Sequence, residues 1–308
     1  MPRHDFSDII FRRLLAILPL LVLLIIGGIF YQLVISSIPS IKKFGFHFIV
    51  SDQWDPVAEQ YGAFPFIFGT CLTSFLALLM AIPIGVGTAI YLAEYAPPKV
   101  SKLISIFIDL LAAIPSVIYG LWGIFVLVPI MRQNVQPFLK KFLGFLPFFQ
   151  GPNYGVGYLA ASIILAIIIV PFIISVTREV ILAVPGVYRE AAYALGATRW
   201  EAISSIILSY GKIGIMGAII LALGRAIGET MAVTMIIGNK AAVTASLFSP
   251  GYTLASVVAN EFSEATTKMY TSALIEVGLV LFVVSIIVNA LARLLIWSVS
   301  RQAIVVKR

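Results

Sequence analysis

Six apolar runs, each long enough to cross a lipid bilayer, divide this 308-residue chain. They cover about residues 14–35, 66–92, 103–131, 157–176, 213–237 and 272–297. A membrane-spanning helix needs about 20 predominantly apolar residues. Each run predicts a helix, because backbone polar groups in lipid must be hydrogen-bonded within the protein. We therefore expect an all-α, polytopic membrane protein with six transmembrane helices.

The composition excludes most other classes of protein. Apolar residues make up 60% of the chain and charged residues only 11%, whereas a soluble domain has about 25% charged residues. Cys71 is the only cysteine, which excludes an intrachain disulfide and a cysteine-based metal cluster. The two histidines, His4 and His47, are far apart, so we predict no metal site. The sequence has no P-loop motif, and we do not expect this chain to bind ATP.

The basic residues indicate how the chain is oriented in the membrane. If the N-terminus is cytoplasmic, 13 of the 21 Lys and Arg residues lie on the inner side and 7 on the outer side. The remaining one, Arg225, lies inside the fifth run. Cytoplasmic loops carry an excess of Lys and Arg, so we predict that both termini are cytoplasmic.

This topology divides the chain into three parts. Residues 1–65 would form the first transmembrane helix and an outer loop, residues 66–297 the transmembrane core, and residues 298–308 a cytoplasmic tail. The first run is longer than the apolar part of a signal peptide and no cleavage pattern follows it, so we expect it to be retained.

The second outer loop, residues 132–156, is rich in phenylalanine. Phe138, Phe142 and Phe145 recur at helical spacing. We therefore predict a short amphipathic helix that lies in the membrane interface.

The inner segment at 178–212 is too polar to cross the membrane and too regularly patterned for a flexible linker. A Pro-Gly pair at 185–186 breaks the preceding helix, and the residues that follow are rich in alanine, a strong helix former. Gly196 ends this helix as a C-terminal glycine does, and Thr198 with Glu201 fits a capping box that starts another. The pattern predicts a helix, a sharp turn and a second helix, a shape suited to docking in a groove of a partner protein.

This segment resembles the EAA signature of bacterial ABC importer permeases. The spacing of that signature is matched by six residues: Glu190, Ala191, Ala192, Gly196, Ile206 and Leu208. Ser209 occupies the position at which the family has proline. The resemblance implies the type I importer permease fold and a coupling helix, at about 186–209, that docks into a cleft of an ATPase subunit. Glu190, Ala191, Ala192 and Gly196 would be the docking residues. It also implies that a partner ATPase dimer binds ATP and Mg²⁺, so that this chain carries no cofactor and is not an enzyme.

Two charged residues lie inside the fifth run. Arg225 is near mid-depth, where a charge costs at least about 2.5–3.5 kcal/mol, and Glu229 follows four residues later, on the same face of a helix. In one interpretation the two charges neutralise each other and hold helices together. In the other, which we favour, Arg225 offers its forked donors to an oxyanion, and Glu229 orients Arg225 or accepts a proton from HPO₄²⁻. Sulfate has no such proton near neutral pH, so the carboxylate would select against it.

Small residues recur along the same run. They form two rows at four-residue spacing, one of Gly224 and Gly228 and the other of Ala218, Ala222, Ala226 and Thr230. Rows of this kind predict close contact with neighbouring helices.

Two further segments resemble one particular group within this family. Residues 225–232, Arg-Ala-Ile-Gly-Glu-Thr-Met-Ala, and residues 113–120, Ala-Ile-Pro-Ser-Val-Ile-Tyr-Gly, are similar to motifs typical of phosphate ABC permeases. The resemblance implies a substrate pathway that includes Arg225, Glu229 and Thr230. The extra first span and the long loop before the second resemble one of the two permease subunit types of that group.

The same resemblance implies the setting in which the chain works. The expected partners are an ATPase dimer, a second, homologous permease subunit and an extracytoplasmic phosphate-binding protein, all at the cytoplasmic (inner) membrane of a prokaryote. Two alternatives remain open. One is an ABC permease for another oxyanion, molybdate or sulfate; the other is a stand-alone proton-coupled carrier that uses Arg225 and Glu229 as a relay.

Overall fold

The computed structural model describes residues 6–305, so His4 lies outside the described part. Within that part the fold is helical, apart from one isolated antiparallel bridge between Asp55 and Gln60. Six of its helices are long and apolar enough to cross a membrane, which confirms the six-span, all-α prediction.

The main helices of residues 6–305 are α1 (Phe6–Phe44), α2 (Phe64–Tyr95), α3 (Pro98–Ala113), α4 (Ser116–Leu143), α5 (Tyr158–Leu182), α6 (Gly186–Ala194), α7 (Arg199–Gly228), α8 (Met231–Ile236), α9 (Leu254–Glu261) and α10 (Lys268–Val305). One-turn helices lie at His47–Val50, Pro147–Phe149 and Phe262–Glu264. Single π-helical turns widen α2 at Tyr91–Tyr95, α4 at Gly123–Leu127 and Met131–Val135, and α7 at Ala202–Ile207. Turns of this kind are frequent at functional sites.

The third apolar run does not form one helix. Ile114 is extended, with ψ 128°, because Pro115 disfavours the helical conformation of the residue before it. The run divides into α3 and α4, and the third span is α4 rather than the expected 103–131. The aromatic segment predicted as a short interfacial helix is helical at Gln136–Leu143 and forms the last part of α4, where the exposed rings of Phe138 and Phe142 lie 4.7 Å apart. The predicted short helix is therefore present, and Phe145 lies in the turn that follows it.

The centre of the bundle is the contact between α2 and α5. Gly85 of α2 lies so close to α5 that a Cβ atom built on it would stand 2.6 Å from Ile173 Cγ2. Ala77, Ala81 and Ala89 continue this buried small-residue face of α2. Small side chains let two backbones approach closely, which is how helices pack where lipid supplies no hydrophobic driving force.

One of the two small-residue rows of the fifth span is confirmed as far as Ala226, whereas its last member, Thr230, lies beyond the end of α7. Ala218, Ala222 and Ala226 are buried where α7 packs on α2 and α5. Gly228 differs, because a Cβ atom built on it would meet no atom within 4 Å.

Three loops meet at one end of the bundle, which we call the cap: residues 45–63, 144–157 and 238–267. Glu261 of the cap accepts through Oε2 from Trp54 Nε1 at 2.8 Å and from the hydroxyl of Tyr270, in the first turn of α10, at 2.7 Å. Burial, and then the nearby Glu261 carboxylate, raise the pKa of the Tyr252 hydroxyl above its ordinary value, which keeps that hydroxyl neutral. The opposite end of the bundle, residues 91–97 and 183–201, we call the base.

The first helix is attached along the last one. Ser272 Oγ of α10 donates to the Ser36 carbonyl at 2.9 Å and accepts from the Ser40 amide at 3.2 Å. The hydroxyl therefore bridges two backbone groups one turn apart in α1, next to Pro39, which has no N–H to donate. At its other end α10 remains helical to Val305, through most of the segment expected as a tail.

Candidate functional site

The fifth span is interrupted at the two charged-motif residues Glu229 and Thr230. Helix α7 ends at Gly228, Glu229 is extended with ψ 125°, and α8 begins at Met231. Thr230 Oγ1 donates to the Gly228 carbonyl at 3.1 Å, which satisfies one carbonyl left free by the break. The expectation of one helix from 213 to 237 was wrong, and Glu229 does not lie on the helical face that carries Arg225.

A second interrupted span packs against the first. Helix α8 contacts the start of α4, directly after the Ile114–Pro115 break. A Cβ atom built on Gly120 would stand 2.5 Å from Met235 Sδ and 3.2 Å from Ala232 Cα, so the two helices touch through the glycine. The two sequence motifs that carry these breaks are thus brought together in space.

Arg225 lies beside this junction without a carboxylate partner. Its guanidinium carbon is 4.1 Å from the centroid of the Phe172 ring of α5. Its Nε is buried and has no hydrogen-bond partner among the described residues. Among the residues whose side chains the structure describes, the ion pairs are Lys43–Glu59, Arg178–Glu179 and Arg189–Glu94. The interpretation in which Arg225 and Glu229 neutralise each other is therefore wrong for this conformation.

This arrangement leaves the arginine available to a ligand. A desolvated cation–π contact is worth about 2 kcal/mol or more, comparable with the cost of about 2.5–3.5 kcal/mol for a charge at mid-membrane. The Phe172 ring thus holds the guanidinium in place while leaving its N–H groups free. Glu229 and Thr230 are both half-buried at the adjacent break. A forked donor near a carboxylate and a hydroxyl can bind an oxyanion that also carries a proton.

The base presents the predicted helix–turn–helix. Helix α6 begins after Pro185, and Gly196 has φ +83°, the left-handed conformation that favours glycine. Thr198 caps α7 in a capping box with Glu201, whose carboxylate accepts from the Thr198 amide at 2.7 Å. Each local signal in the sequence is confirmed here.

Three of the four expected docking residues lie on the exposed side of the base. Glu190, Ala191 and Gly196 are exposed, whereas Ala192 is buried. Ala192 faces the permease where α6 packs on α7, so in this conformation it is not available to a partner.

The sequence interpretation missed two large apolar residues of the same surface. Leu195 and Trp200 are exposed by 89% and 60%. Exposed apolar groups around a turn mark an interaction surface. The sequence contained this signal, because large apolar residues such as leucine and tryptophan are not expected beside a glycine turn in a solvent-exposed loop.

A polar joint, also missed, connects this surface to the second span. Arg189 of α6 donates from Nε and Nη2 to Glu94 Oε1, at 3.1 and 2.7 Å. It also donates to the carbonyls of Val184 and Ile181, at 2.6 and 2.9 Å. The Glu94 side chain is only 6% exposed, so its carboxylate is almost completely shielded from solvent.

Comparison with known proteins defines the class. Residues 81–301 match the model of the family described as binding-protein-dependent transport system inner membrane component. The chain belongs to this family of ABC importer permeases. It is a multi-pass membrane transport subunit and not an enzyme.

The curated relatives extend the match to nearly the whole chain. The chain is 44% identical to the phosphate transport system permease protein PstC of Mesorhizobium japonicum, over 97% of this chain and 93% of the relative. It is 49% identical to the protein of the same name in Haemophilus influenzae, over 95% and 94% of the two chains. A probable phosphate transport system permease protein PstC of Methanocaldococcus jannaschii is 38% identical, over 88% of this chain and 86% of that one.

Solved structures share the fold at low identity. A chain of the bacterial alginate ABC transporter, in complex with its alginate pentasaccharide-bound periplasmic protein, aligns with a TM-score of 0.61 at 17% identity, over 94% of this chain and 96% of that one. A chain of the MetNI methionine ABC transporter in an inward-facing conformation aligns with a TM-score of 0.55 at 17% identity, over 76% of this chain and 94% of that one. The type I importer permease fold is thereby confirmed.

Proposed function

We propose that this chain is a permease subunit of an ATP-driven importer of inorganic phosphate. Relatives over almost its full length are named phosphate transport system permeases. The two segments that resemble phosphate-permease motifs, 113–120 and 225–232, are also the segments in which two spans break and meet. The observation that carries the proposal is the unpaired Arg225 guanidinium beside that junction.

In this proposal Arg225 is the anion-binding group of the pathway. Its N–H groups donate to phosphate oxygens while Phe172 holds the guanidinium plane. Glu229 accepts a hydrogen bond from the P–O–H group of HPO₄²⁻, and the Thr230 hydroxyl supplies a further polar contact. Because Glu229 does not neutralise Arg225, the positive charge is available to the substrate when the pathway opens.

Transport is driven from the base. A partner ATPase dimer binds ATP and Mg²⁺ and docks on the surface that contains Glu190, Ala191, Gly196 and Leu195. Movement of α6 is passed to α2 through Arg189 and to the pathway through α7. No cofactor is needed on this chain, because ATP is hydrolysed by the partner.

The complex has four further features in this proposal. It lies in the cytoplasmic membrane of a prokaryote, with both termini of this chain in the cytoplasm. A second, homologous permease of the PstA type completes the pathway, and an extracytoplasmic phosphate-binding protein delivers substrate at the cap. The excess of Lys and Arg on the inner side supports this orientation.

Substitution of Arg225 tests the proposal. We expect Arg225→Gln to abolish phosphate uptake while the chain still co-purifies with its ATPase subunit. Arg293→Gln, which removes an exposed arginine near the end of α10, is the matched control and should transport normally. Normal uptake by Arg225→Gln would refute the role of Arg225 in the pathway. Loss of assembly in Arg225→Gln would assign the arginine to structure instead.

A further inference from the structure

A polar cavity lies between α3 and α5, on the side of Phe172 that faces the base. Its volume is about 160 Å³, well above the roughly 10–15 Å³ that one water requires. The polar groups in its lining are Ser105 and Asp109 of α3 and Ser175, Arg178 and Glu179 of α5. We call this set without Glu179 the inner station.

The cavity contains a donor and an acceptor that the protein does not satisfy. Arg178 Nη1 donates to Glu179 Oε1 at 2.9 Å, but Arg178 Nε is buried and has no partner within residues 6–305. Asp109 Oδ1 accepts from Ser175 Oγ at 2.9 Å, and no other described residue donates to this carboxylate. Arg178 Nη2 makes no hydrogen bond to a described residue, and the exposed Asp109 carboxylate keeps a free oxygen, so a donor residue and an acceptor residue line one space.

These two groups specify the chemistry of a ligand. It must carry oxygens that accept from Arg178 and a hydrogen that it donates to Asp109. Inorganic phosphate has both near neutral pH, whereas sulfate has no hydrogen and would place a bare oxygen against the carboxylate. Charge-assisted hydrogen bonds of both kinds are the strong ones in proteins.

The position of the cavity fits a route from Arg225 to the base. Ser175 follows Phe172 by three residues on α5, a distance of about 4.5 Å along a helix axis. Arg178 lies one further turn along, toward the end of α5 at Leu182. Phe172, which holds Arg225, and Arg178 are thus six residues apart on α5, about 9 Å along the helix axis.

We propose that the inner station is a second binding site for inorganic phosphate, occupied after Arg225 and before release at the base. This inference rests on the proposed function, since it adds a site to the same pathway. Asp109 is its selectivity group, because it accepts a hydrogen bond from the P–O–H group that sulfate lacks.

A reporter cysteine tests the site directly. Ser175→Cys in a Cys71→Ser background, in the complete complex in inverted membrane vesicles, is labelled with a small water-soluble thiol reagent. We expect phosphate to slow the labelling at least threefold and sulfate or chloride to leave it unchanged. Ser204→Cys, at an exposed serine of α7 next to the base, is the matched control and should react equally with and without phosphate.

Two substitutions assign the chemistry. Asp109→Asn replaces the carboxylate with an amide, which can donate a hydrogen bond to a sulfate oxygen, so sulfate should now slow the labelling as well. Arg178→Gln should remove protection by either anion. If Ser175→Cys prevents co-purification with the ATPase subunit, Ser105→Cys on the facing helix is the second reporter.

Three outcomes would overturn the inner station. The first is a labelling rate of Ser175→Cys that phosphate does not change. The second is equal slowing of that labelling by phosphate and by sulfate while Asp109 is still present. The third is a cysteine that is unreactive in vesicles at all phosphate concentrations and becomes reactive only when detergent removes phospholipid, because a lipid headgroup then fills the cavity. Failure of the proposed function is distinct, since it would be seen as a complex that does not accumulate phosphate at all.

Discussion

Arg189 and Glu94, 95 residues apart in the sequence, form a buried ion pair that joins the coupling helix to the end of the second span. Arg199 strengthens the same joint, because it donates to the Glu94 carbonyl and stacks over the Tyr95 ring at 4.7 Å. Removing one partner of a buried pair typically costs about 3–5 kcal/mol, since the other charge stays buried alone. The joint is therefore a rigid link between the docking surface and α2.

We predict that Arg189→Gln lowers the thermal unfolding temperature of the complex and reduces the phosphate moved per ATP hydrolysed. Glu94→Gln should reduce the same transport ratio with less loss of stability, because the amide still accepts a hydrogen bond. Proteoliposome uptake and ATP hydrolysis measured together give the ratio. Lys43→Gln is the control, because its exposed pair with Glu59 is worth only about 0–1 kcal/mol. An unchanged ratio in Glu94→Gln would argue against the joint as a transmitting element.

The glycine turn of the base gives a second prediction. Gly196 has φ +83°, and a Cβ atom built there would meet no atom within 4 Å, so only backbone strain opposes a side chain. Gly196→Ala should cost about 1–2 kcal/mol and weaken binding of the ATPase subunit in a pull-down. Gly217→Ala, at a helical glycine that also has open space, is the matched control and should be neutral or stabilising.

A bulkier substitution separates two classes of transporter. Gly196→Arg should stop phosphate transport, because the arginine blocks the surface on which the ATPase docks. A stand-alone proton-coupled carrier would continue to transport, so uptake by Gly196→Arg cells would contradict an ATP-driven importer.

The carboxylate at the helix break is expected to set selectivity. A hydrogen bond to a charged group is worth about 1.5–3 kcal/mol, so Glu229→Gln should reduce phosphate uptake about tenfold or more. Sulfate, which wild type should not carry, should begin to compete with the remaining uptake. The exposed Glu264 of the cap supplies the control variant, Glu264→Gln, which should behave as wild type. Undiminished phosphate uptake with continued exclusion of sulfate would show that Glu229 is not the acceptor.

The sequence predicted those parts of the fold that depend on neighbouring residues. The span count follows from the lengths of the apolar runs, and the turn at Gly196 follows from glycine and a capping box within a few positions. The break at Glu229 was missed because no proline precedes it and the apolar pattern continues across it. Pro115 was visible, but whether a proline kinks a helix or ends it depends on the helices packed around it.

Contacts between distant parts of the chain were not predictable in the same way. Nothing near Glu94 in the sequence indicates that Arg189 is its partner, and nothing near Arg225 indicates Phe172. The charge of Arg225 and its cost in lipid were evident, and the natural inference was a partner one helical turn away. The break at Glu229 removes that partner by changing the backbone, an effect that residue spacing alone does not reveal.

The contact at the centre of the bundle gives the last prediction. A Cβ atom built on Gly85 would stand 2.6 Å from Ile173 Cγ2 and 2.8 Å from Ile173 Cβ, whereas one on Gly87, two residues later in α2, would meet no atom within 4 Å. Gly85→Ala should therefore force α2 and α5 apart at a cost of about 1–3 kcal/mol. Gly87→Ala should be neutral or gain up to about 1 kcal/mol from helix propensity. Thermal unfolding of the purified complex measures both, and the prediction requires Gly85→Ala to unfold at the lower temperature. Equal unfolding temperatures would mean that the two helices have room to separate without loss of packing.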